Sequence, residues 1–527
     1  MGISAELFLA LLIAIAALST LARLIDVPYP ILLVVGGLAI GLVPGIPEVE
    51  LDPDLVLVLF LPPLLYAAAF FASLRDLRAD LRPISLLAVG LVLATTVTVA
   101  LIAHALIDGL TWGAAFALGA IVSPTDPIAA TTIVRRQGAP RRIANIIEGE
   151  SLINDGTALV LYRAAVAAVV AGSFSLVDAS LELVGSAAGG IAIGLLVGGP
   201  IAEMRKRIED PPVEITISLA TAYAAYLPAE ELGLSGVLAA VTAGIYLGWR
   251  APEVSSAEMR MQGRPVWAQL QFLLNATLFI LVGLQLPVVL DGIGEYSTAE
   301  LVGYGAAVSA TVILTRLAWG QTIVFLIRVL DRRSSQIERR SDWRVRLIGG
   351  WAGMRGAVTL AAALALPLQT DAGDPFPHRD LIIFLAFCVI LATLLLQGMT
   401  LPMLIRRLGI VGDDSEIHEE LHGRIHAAEA GLERLDELAG EDWTRDDTVD
   451  RMRGLLRYRQ TRFSAQRDGD GDQRIEDRSR AYQRLLREVI DAQRDALVRL
   501  RNEGEISNEV MQRLERELDL EDTRLEI

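Results

Sequence analysis

Long apolar segments follow one another through the first four hundred residues of the chain. The hydrocarbon core of a bilayer is about 30 Å thick and needs about 20 residues of helix, the structure in which a segment satisfies its own backbone. Thirteen segments near that length are centred on 4–22, 29–46, 54–73, 84–107, 112–134, 143–171, 181–203, 213–229, 235–249, 266–290, 301–330, 346–367 and 380–405. With 53% hydrophobic residues and a mean hydropathy of +0.45, the chain is too apolar for a soluble protein of 527 residues. We therefore predict an all-α polytopic membrane protein with about 13 transmembrane helices.

The charge of the connecting loops indicates how these spans are oriented. The loops after odd-numbered spans are basic, as at Arg135 and Arg136, whereas the loops after even-numbered spans are acidic or neutral, as at Glu230 and Glu231. The basic loop after the seventh span runs from Arg205 to Arg207. Because basic loops mark the cytoplasmic side, the pattern predicts a multi-pass protein of the plasma (inner) membrane, with its N-terminus outside and its C-terminal tail in the cytoplasm.

The composition of the chain changes after about residue 410, where the apolar segments stop. Residues 413–527 carry a net charge of −11, most of the −16 of the whole chain, and such an acidic surface argues against nucleic acid as a partner. Charged amphipathic stretches predict helices at 427–438, 449–463 and 480–518, the last with a break near residue 503. We therefore divide the chain into a transmembrane domain, 1–410, and a helical cytoplasmic tail, 411–527, for which we expect a regulatory role.

Two of the predicted spans contain residues that break helices in mid-membrane. The fifth holds Ser123-Pro-Thr-Asp-Pro127, and the twelfth holds the glycine-rich run Gly349-Gly-Trp-Ala-Gly-Met-Arg-Gly356. If the seventh span is a connector, spans 1–6 and 8–13 form two six-helix halves, and each interrupted span is the fifth of its half. Interrupted segments at matching positions of two halves are typical of transporters built from inverted repeats. We predict such a repeat, in which spans 5 and 12 are interrupted crossing helices.

The sixth span places four polar side chains on one face of a helix. At about 100° per residue, an arc of about 140° contains Glu150, Ser151, Asn154 and Asp155. Asp155 lies twelve residues into its apolar segment, and a carboxylate at that depth costs about 2.5–3.5 kcal/mol on insertion scales. Two carboxylates are more than helix packing requires, so we favour an ion site or a proton relay over a buried network that only fixes packing.

Asp126 in the fifth span is the natural partner of Asp155. Its two flanking prolines lack backbone N–H groups and free carbonyl oxygens, such as that of Thr125, to face a cavity. An oxygen-rich site of this kind suits a hard monovalent cation. The alternative is a plain kink in which Asp126 caps the half-helix that follows, and a cap and an ion site do not exclude each other.

Exchange of a cation for a proton at Asp155 requires a carboxyl group that takes up a proton near the working pH. An exposed aspartate takes up a proton near pH ~3.9. To do so near the working pH, its charged form must be disfavoured by ~4 kcal/mol, and burial of a carboxyl group has an effect of that size. The chain has no Gly-x-x-x-x-Gly-Lys-Ser/Thr motif for ATP. Such an exchange would therefore be driven by ion gradients alone.

Glu150 needs a positive partner inside the membrane, because a buried charge left unpaired costs several kcal/mol. The membrane segments offer three candidates, Arg163, Arg316 and Arg355. Such a pair could serve to stabilise the fold or to support transport, and the sequence favours neither role over the other.

Three motifs, taken together and in this order, resemble those of the sodium/proton exchangers of the monovalent cation:proton antiporter family. They are Ser123-Pro-Thr-Asp-Pro127, Glu148-Gly-Glu-Ser-Leu-Ile-Asn-Asp-Gly156 and Gly353-Met-Arg-Gly-Ala-Val-Thr-Leu360. The run Phe60-Leu-Pro-Pro-Leu-Leu-Tyr66 is also similar, and the resemblance covers roughly residues 1–410. The Asn154-Asp155 pair resembles the electroneutral branch, which includes bacterial NhaP-type proteins and animal sodium/hydrogen exchangers, whereas the electrogenic branch carries Asp-Asp.

The resemblance implies roles for the residues around the ion. Asp155 would be the obligatory carboxylate, and Asn154 would support the site. The remaining ligands would be Asp126, Ser151 and the carbonyl oxygen of Thr125.

The resemblance also implies a charge network and a domain arrangement. Glu150 resembles the family glutamate that pairs with a membrane-embedded arginine, either Arg316 or Arg355, and Glu230 matches a family acidic position. Family members are homodimers in which a transport core, here spans 4–6 and 11–13, moves like an elevator against a scaffold and dimerisation domain, here spans 1–3 and 8–10. No cofactor is implied beyond the transported ions.

Three histidines recur every four residues just after the last span, His418, His422 and His426. The first two form His-Glu-Glu-Leu-His, the pattern of zinc proteases, but we reject a membrane-embedded protease because it would bury this motif in a spanning helix. We expect no transition-metal site. The plain interpretation of the three histidines is a solvated helix face, and the sharper one is a pH or metal sensor, because histidine titrates near pH ~6.5.

The sequence thus predicts a secondary active antiporter that exchanges one Na⁺ for one H⁺ at a single carboxylate by alternating access. Li⁺ and K⁺ are further candidate cations. One alternative is a K⁺-selective exchanger on the same fold. Another is a channel-like or sensory membrane protein that uses the site only to bind a cation.

Overall fold

The computed structural model of the chain describes residues 5–25, 27–43, 53–171, 176–330, 342–410, 412, 415–467 and 473–523. The chain divides into two compact units, Met1–Gly412 and Asp413–Ile527. The end of the second predicted span, residues 44–46, lies outside the described residues. Regular structure in the described part is helical, apart from one isolated antiparallel bridge between Gln369 and Pro375.

The first unit is built from helices of very different lengths. They are α1 (Ala5–Leu24), α2 (Tyr29–Gly41), α3 (Pro53–Phe70), α4 (Leu74–Ala79), α5 (Leu81–Ser85), α6 (Val92–Leu106), α7 (Trp112–Val122), α8 (Pro127–Arg136), α9 (Arg141–Val170), α10 (Leu176–Arg205), α11 (Pro211–Glu231), α12 (Gly236–Val254), α13 (Ala257–Gly292), α14 (Thr298–Leu330), α15 (Trp343–Trp351), α16 (Ala357–Leu364), α17 (Arg379–Ala392) and α18 (Gly398–Leu408). A π-helical segment, Leu86–Leu91, joins α5 to α6, and another, Thr393–Gln397, joins α17 to α18.

Each of the thirteen predicted spans contains helix, but not all of these helices are long and apolar enough to cross a membrane. Within the described residues, seven helical stretches are long and apolar enough: Leu81–Leu106, Trp112–Arg136, Arg141–Val170, Val184–Arg205, Ala257–Leu290, Thr298–Ile323 and Arg379–Leu408. Shorter apolar helices are Leu9–Leu24, Tyr29–Gly41 and Val58–Phe70. The structure is therefore that of a multi-pass helical membrane protein, and thirteen crossings in two inverted halves stay a prediction.

Close packing between α2 and α13 depends on glycines where the two backbones meet. A Cβ on Gly37 would collide with the carbonyl oxygen of Ile280, and a Cβ on Gly283 would collide with the carbonyl oxygen of Val34. Small residues let helices approach closely in lipid, where van der Waals packing holds them together. These two helices consequently form one of the tightly packed pairs of the first unit.

In the second unit, the residues that the structure describes form two helical pairs. Its helices are α19 (Ser415–Leu438), α20 (Asp446–Arg467), α21 (Gln473–Asn502) and α22 (Asn508–Thr523). α19 packs on α20, with Leu421, Ile425 and Phe463 as a small core, and α21 packs on α22. The break predicted near residue 503 is confirmed, since Gly504 adopts a left-handed conformation with φ +78°, which glycine alone adopts without a steric cost.

Candidate functional site

The fifth predicted span is broken at its two prolines, as the sequence predicts. α7 ends at Val122, residues 123–126 are not helical, and α8 begins at Pro127. Proline suits the first position of a helix because the missing N–H would have no intrahelical partner there. Asp126 caps α8 by accepting a hydrogen bond from the Ile128 N–H at 2.9 Å. The cap that was one of the two predicted roles of Asp126 is therefore present, and it holds the carboxylate at the edge of the break.

The twelfth predicted span is broken as well, and the two breaks meet. Residues 352–356 separate α15 from α16. The Asp126 N–H donates to the carbonyl oxygen of Met354 at 2.8 Å, and Nε of Arg355 donates to the carbonyl oxygen of Val122 at 3.1 Å. Non-helical backbone at membrane depth is tolerated only where protein or a water-filled cavity satisfies it. Each break thus supplies partners that the other needs.

Arg355 and Gly356 fix this crossing from the side of the twelfth span. The Arg355 side chain is completely buried, and its backbone N–H donates to Oγ1 of Thr393 in the second π-helical segment at 3.1 Å. A Cβ on Gly356 would collide with the carboxylate of Asp126. Glycine at 356 is therefore what allows Asp126 to lie against the twelfth span.

Glu150 forms a buried ion pair with Arg316 of α14. Both side chains are 2% exposed, and the pairing is bidentate, with Nη1 2.5 Å from Oε1 and Nη2 2.7 Å from Oε2. Bidentate charge-assisted hydrogen bonds are among the strongest in proteins. Of the three candidate partners, the geometry selects Arg316, because Arg355 is used in the crossing and Arg163 pairs with Glu230.

A chain of hydrogen bonds links this ion pair to the broken fifth span. Nδ2 of Asn154 donates to Oγ1 of Thr125 at 2.9 Å, and Oγ1 of Thr125 donates to Oε1 of Glu150 at 3.2 Å. Ser151 and Asp155 are buried on the same helix. The polar face of α9 that the spacing predicts is therefore a buried face, and its amide and carboxylate orient Thr125.

Asp155 faces a small cavity beside the crossing. The residue is 5% exposed, and its Oδ1 has no hydrogen-bond partner among the described residues. The cavity measures about 10 Å³ and is lined by side chains of α3, α7, α9, α12 and α16 and by Pro124 of the break. This volume is close to the lower limit for holding one water molecule. A buried carboxylate oxygen without a protein partner needs a proton or a cation, because an unsatisfied buried charge is costly.

Most of the predicted site residues lie in the buried interior formed by α9 and the two broken spans. They are the buried residues Thr125, Glu150, Ser151, Asn154, Asp155, Arg316 and Arg355, with the half-buried Asp126 at the edge. Glu230 is not brought to this network. It contacts Arg163, and its Oε1 accepts a hydrogen bond from the Gly236 N–H at 3.0 Å. Glu230, which matches a family acidic position, therefore forms a different ion pair from the one that Glu150 forms.

The three tail histidines are exposed on α19. The rings of His422 and His426 meet edge to face with 4.3 Å between centroids, and Nδ1 of His426 lies 2.9 Å from Glu429. In the part of the chain that the structure describes, no group of three or more His, Cys, Asp or Glu side chains could hold a metal ion. The geometry fits a solvated helix face, and a sensor role for His418, His422 and His426 stays a prediction.

A second buried charge pair was missed by the sequence-based prediction. Arg205 and Glu214 are both completely buried, with 3.6 Å between Nη2 and Oε2, and Nη2 of Arg205 also donates to Oγ of Ser255 at 2.9 Å. The loop-charge pattern uses Arg205 as a sign of the cytoplasmic side, and it gives no indication that the side chain of Arg205 is buried. The signal that could have found the pair is Glu214 itself, an acidic residue in the first turn of a predominantly apolar helix.

A family model of the transmembrane sodium/hydrogen exchangers matches residues 8–407. The chain belongs to the sodium/hydrogen exchanger family. It is 38% identical over 520 residues to an uncharacterized Na⁺/H⁺ exchanger of Mycobacterium tuberculosis, covering 98% of this chain and 95% of that protein. It is 33% identical over 443 residues to a sodium, potassium, lithium and rubidium/H⁺ antiporter of Bacillus pumilus, covering 81% and 65%. It is 32% identical over 472 residues to the Na⁺/H⁺ antiporter ApNhaP of Aphanothece halophytica, covering 87% and 86%.

The helical fold also resembles that of a solved exchanger. The sodium proton antiporter MjNhaP1 from Methanocaldococcus jannaschii superposes with a TM-score of 0.61 at 21% identity, covering 76% of this chain and 97% of that one. Proteins of the exchanger family are antiporters, which transport Na⁺ and H⁺ and are not enzymes. Membership therefore removes the zinc-protease interpretation of His418 and His422 and makes the cation and the proton transported ions, not cofactors.

Proposed function

We propose that this exchanger carries out electroneutral exchange of one Na⁺ for one H⁺ at Asp155. The observation that carries the proposal is the buried Oδ1 of Asp155, which has no hydrogen-bond partner among the described residues and belongs to a side chain lining the cavity of about 10 Å³. A proton or a cation satisfies such an oxygen, and each does so to the exclusion of the other. With the neutral Asn154 beside it, a single titrating carboxylate binds one positive charge in either form. One cycle then moves no net charge across the membrane.

We assign the cation's ligands to oxygen atoms at the crossing of the broken spans. Asp126 is fixed at the edge of the break by its cap on α8, and Thr125 lies in the non-helical stretch, where its carbonyl oxygen is not engaged by a helix. Ser151 lies one turn before Asp155 on α9. Asn154 has a supporting role, since its amide holds the Thr125 hydroxyl at 2.9 Å.

The Glu150–Arg316 pair supports this site without competing for the cation. Its two charges neutralise each other in a bidentate contact, and the Thr125 hydroxyl links the pair to the site by donating to Glu150 at 3.2 Å. Arg355 has a separate part, which is to join the two breaks through its bond to Val122. We therefore assign positioning roles to Glu150, Arg316 and Arg355.

We further propose alternating access between a transport core of spans 4–6 and 11–13 and a scaffold of spans 1–3 and 8–10. Support comes from the lining of the Asp155 cavity, where Ala158 and Val358 lie on core helices, whereas Leu61 lies on α3 and Val237 on α12 of the scaffold. A site at the boundary of two helix groups is opened to one side or the other when the groups slide past each other. A homodimer in the plasma membrane, with the N-terminus outside and the tail in the cytoplasm, belongs to the same proposal.

Na⁺ is the proposed cation, and Li⁺ and K⁺ are the competitors to compare with it. The Bacillus pumilus relative is named as an antiporter of sodium, potassium, lithium and rubidium, which keeps a K⁺-selective exchanger on the same fold as the alternative. Uptake measured with the three cations in turn, at one imposed pH gradient, ranks them directly.

The proposal is tested with the full-length protein in proteoliposomes. An imposed pH gradient should drive uptake of radioactive Na⁺, and a separately imposed membrane potential should leave the rate unchanged. Asp155→Asn should abolish exchange while the protein still folds. Glu148→Gln is the matched control, because Glu148 lies on the same helix but is partly exposed and pairs with Arg135 at 2.8 Å. Uptake that follows the potential would indicate a channel, and exchange retained by Asp155→Asn would reject the mechanism.

A further inference from the structure

Arg163 and Glu230 form a charged pair that the proposed exchange step does not use. Arg163 lies on α9 eight residues after Asp155, about 12 Å further along the axis at 1.5 Å per residue, toward the end of α9 that the proposed orientation places outside. Its Nη2 contacts Oε2 of Glu230 at the end of α11, and its Nη1 donates to the carbonyl oxygen of Leu234 at 3.5 Å. One arginine of α9 thus holds the turn that connects α11 to α12.

Glu230 extends this contact to the start of α12. Its second oxygen, Oε1, accepts a hydrogen bond at 3.0 Å from the N–H of Gly236, the first residue of α12. A Cβ on Gly236 would lie 2.7 Å from that oxygen, so glycine allows the carboxylate to approach the helix N-terminus this closely. The positive end of the α12 dipole and the guanidinium of Arg163 both stabilise the Glu230 carboxylate.

The turn held by this pair adjoins the Asp155 cavity. Val237, the second residue of α12, lines the cavity, and so does Tyr162, which precedes Arg163 on α9. A Cβ on Gly156, the neighbour of Asp155, would lie 3.1 Å from Leu238 of α12. The start of α12 therefore packs directly against the part of α9 that carries the site.

We propose that the Arg163–Glu230 pair is an outer latch, which stabilises the state in which the Asp155 cavity is closed to the outside. This inference rests on the proposed alternating access, because α9 belongs to the transport core and α11 and α12 belong to the scaffold. When the core slides, the pair must separate. Its side chains are 33% and 24% exposed, so they can be solvated when apart, unlike the 2% exposed Glu150–Arg316 pair, whose separation would leave buried charges.

The latch is tested through the access of a thiol reagent to the cavity. The chain has a single cysteine, Cys388, so Cys388→Ser with Ala158→Cys gives one reporter in the cavity wall. A membrane-impermeant methanethiosulfonate reagent is added to the outside of right-side-out vesicles that contain the full-length protein. We expect Arg163→Gln or Glu230→Gln to raise the rate of modification about tenfold by populating the outward-open state. The exchanged pair, Arg163→Glu with Glu230→Arg, should return the slow rate, which a loss of folding could not do.

Arg135→Gln is the matched control for this experiment. It removes an arginine of α8 that pairs with Glu148 of α9 at 2.8 Å. Because this pair lies at the end of α9 proposed to be cytoplasmic, outside access should not change. Equal modification rates in the parent and in both latch variants would overturn the latch. Because modification is measured without transport, the outcomes remain distinguishable: absent Na⁺/H⁺ exchange in the parent rejects the proposed function, whereas unchanged access in an exchanging protein rejects only the latch.

Discussion

The backbone N–H of Asp126 donates a hydrogen bond to the carbonyl oxygen of Met354 at 2.8 Å, and this bond joins the break in the fifth predicted span to the break in the twelfth. Arg355 returns a bond to Val122 at 3.1 Å. Because non-helical backbone inside a membrane must find its partners in the protein or in a wet cavity, neither break is stable alone. The candidate site therefore depends on two segments more than two hundred residues apart.

Gly356 lies against Asp126 in this crossing, and a methyl group at position 356 would collide with the carboxylate. We expect Gly356→Ala to displace Asp126, to destabilise the protein by about 1–3 kcal/mol and to slow exchange by about tenfold or more. Thermal unfolding and uptake driven by a pH gradient measure the two effects. Gly349→Ala is the control in the same predicted span, because its Cβ would meet nothing within 4 Å. Parental exchange rates in Gly356→Ala would contradict the described crossing.

Substitutions of the buried residues Glu150 and Arg316 should be strongly coupled in their effect on the free energy of unfolding. Glu150→Leu or Arg316→Met alone leaves one buried charge unpaired, which costs about 3–5 kcal/mol. The double variant Glu150→Leu with Arg316→Met leaves no buried charge, so we expect it to lose less than either single variant does. Free energies of unfolding in detergent, combined in a double-mutant cycle, give the coupling. Losses that simply add would mean that the pair does not form.

Asn154 acts as a hydrogen-bond donor as well as a neutral neighbour of Asp155. Its Nδ2 donates to Thr125 at 2.9 Å, and an aspartate there would have no N–H to replace that bond. We expect Asn154→Asp to lower the free energy of unfolding by about 1–3 kcal/mol. The variant also adds a second carboxylate next to Asp155, so its exchange should respond to membrane potential. Uptake at one pH gradient and two opposite potentials checks this, and a rate independent of potential would count against the one-carboxylate account.

The sequence predicted those parts of the site that depend only on residues close together in the chain. The prolines around Asp126 indicated a break because they remove backbone donors, and the glycines that end at Gly356 indicated another because glycine weakens helices. Helical spacing identified the buried polar face of α9, since residues three and four apart share a face. These predictions needed no knowledge of the other segments.

Contacts between distant segments were not accessible in this way. Arg316 and Arg355 both lie in apolar segments, and only the packing of the helices decides which of them meets Glu150. Arg205 follows the loop-charge rule by its position in the chain, but its side chain turns inward to Glu214. Side-chain direction at a helix end is set by tertiary packing, for which a single sequence carries no pattern.

The tail histidines should have little influence on exchange. All three are exposed on α19, and His426 is engaged by Glu429 of its own helix at 2.9 Å, so protonation would change a solvated surface. Replacing His418, His422 and His426 with Gln should leave the pH profile of Na⁺ uptake unchanged. The profile is measured in proteoliposomes against the parent protein. A profile displaced along the pH axis would instead support the sensor hypothesis.

Asp126 combines a helix cap with a charge, and two substitutions separate these roles. Asparagine can accept the same bond from the Ile128 N–H, so Asp126→Asn should keep the free energy of unfolding within about 0.5 kcal/mol of the parent, whereas Asp126→Ala removes the cap and should cost about 1 kcal/mol. Both variants lose the charge, and we expect each to raise the KM for Na⁺ by about tenfold, which corresponds to about 1.4 kcal/mol of lost interaction. Unfolding curves and uptake at a series of Na⁺ concentrations measure the two properties. If Asp126→Asn keeps the parental KM, Asp126 is a cap alone, and the cation is held by Asp155 with the other oxygens of the crossing.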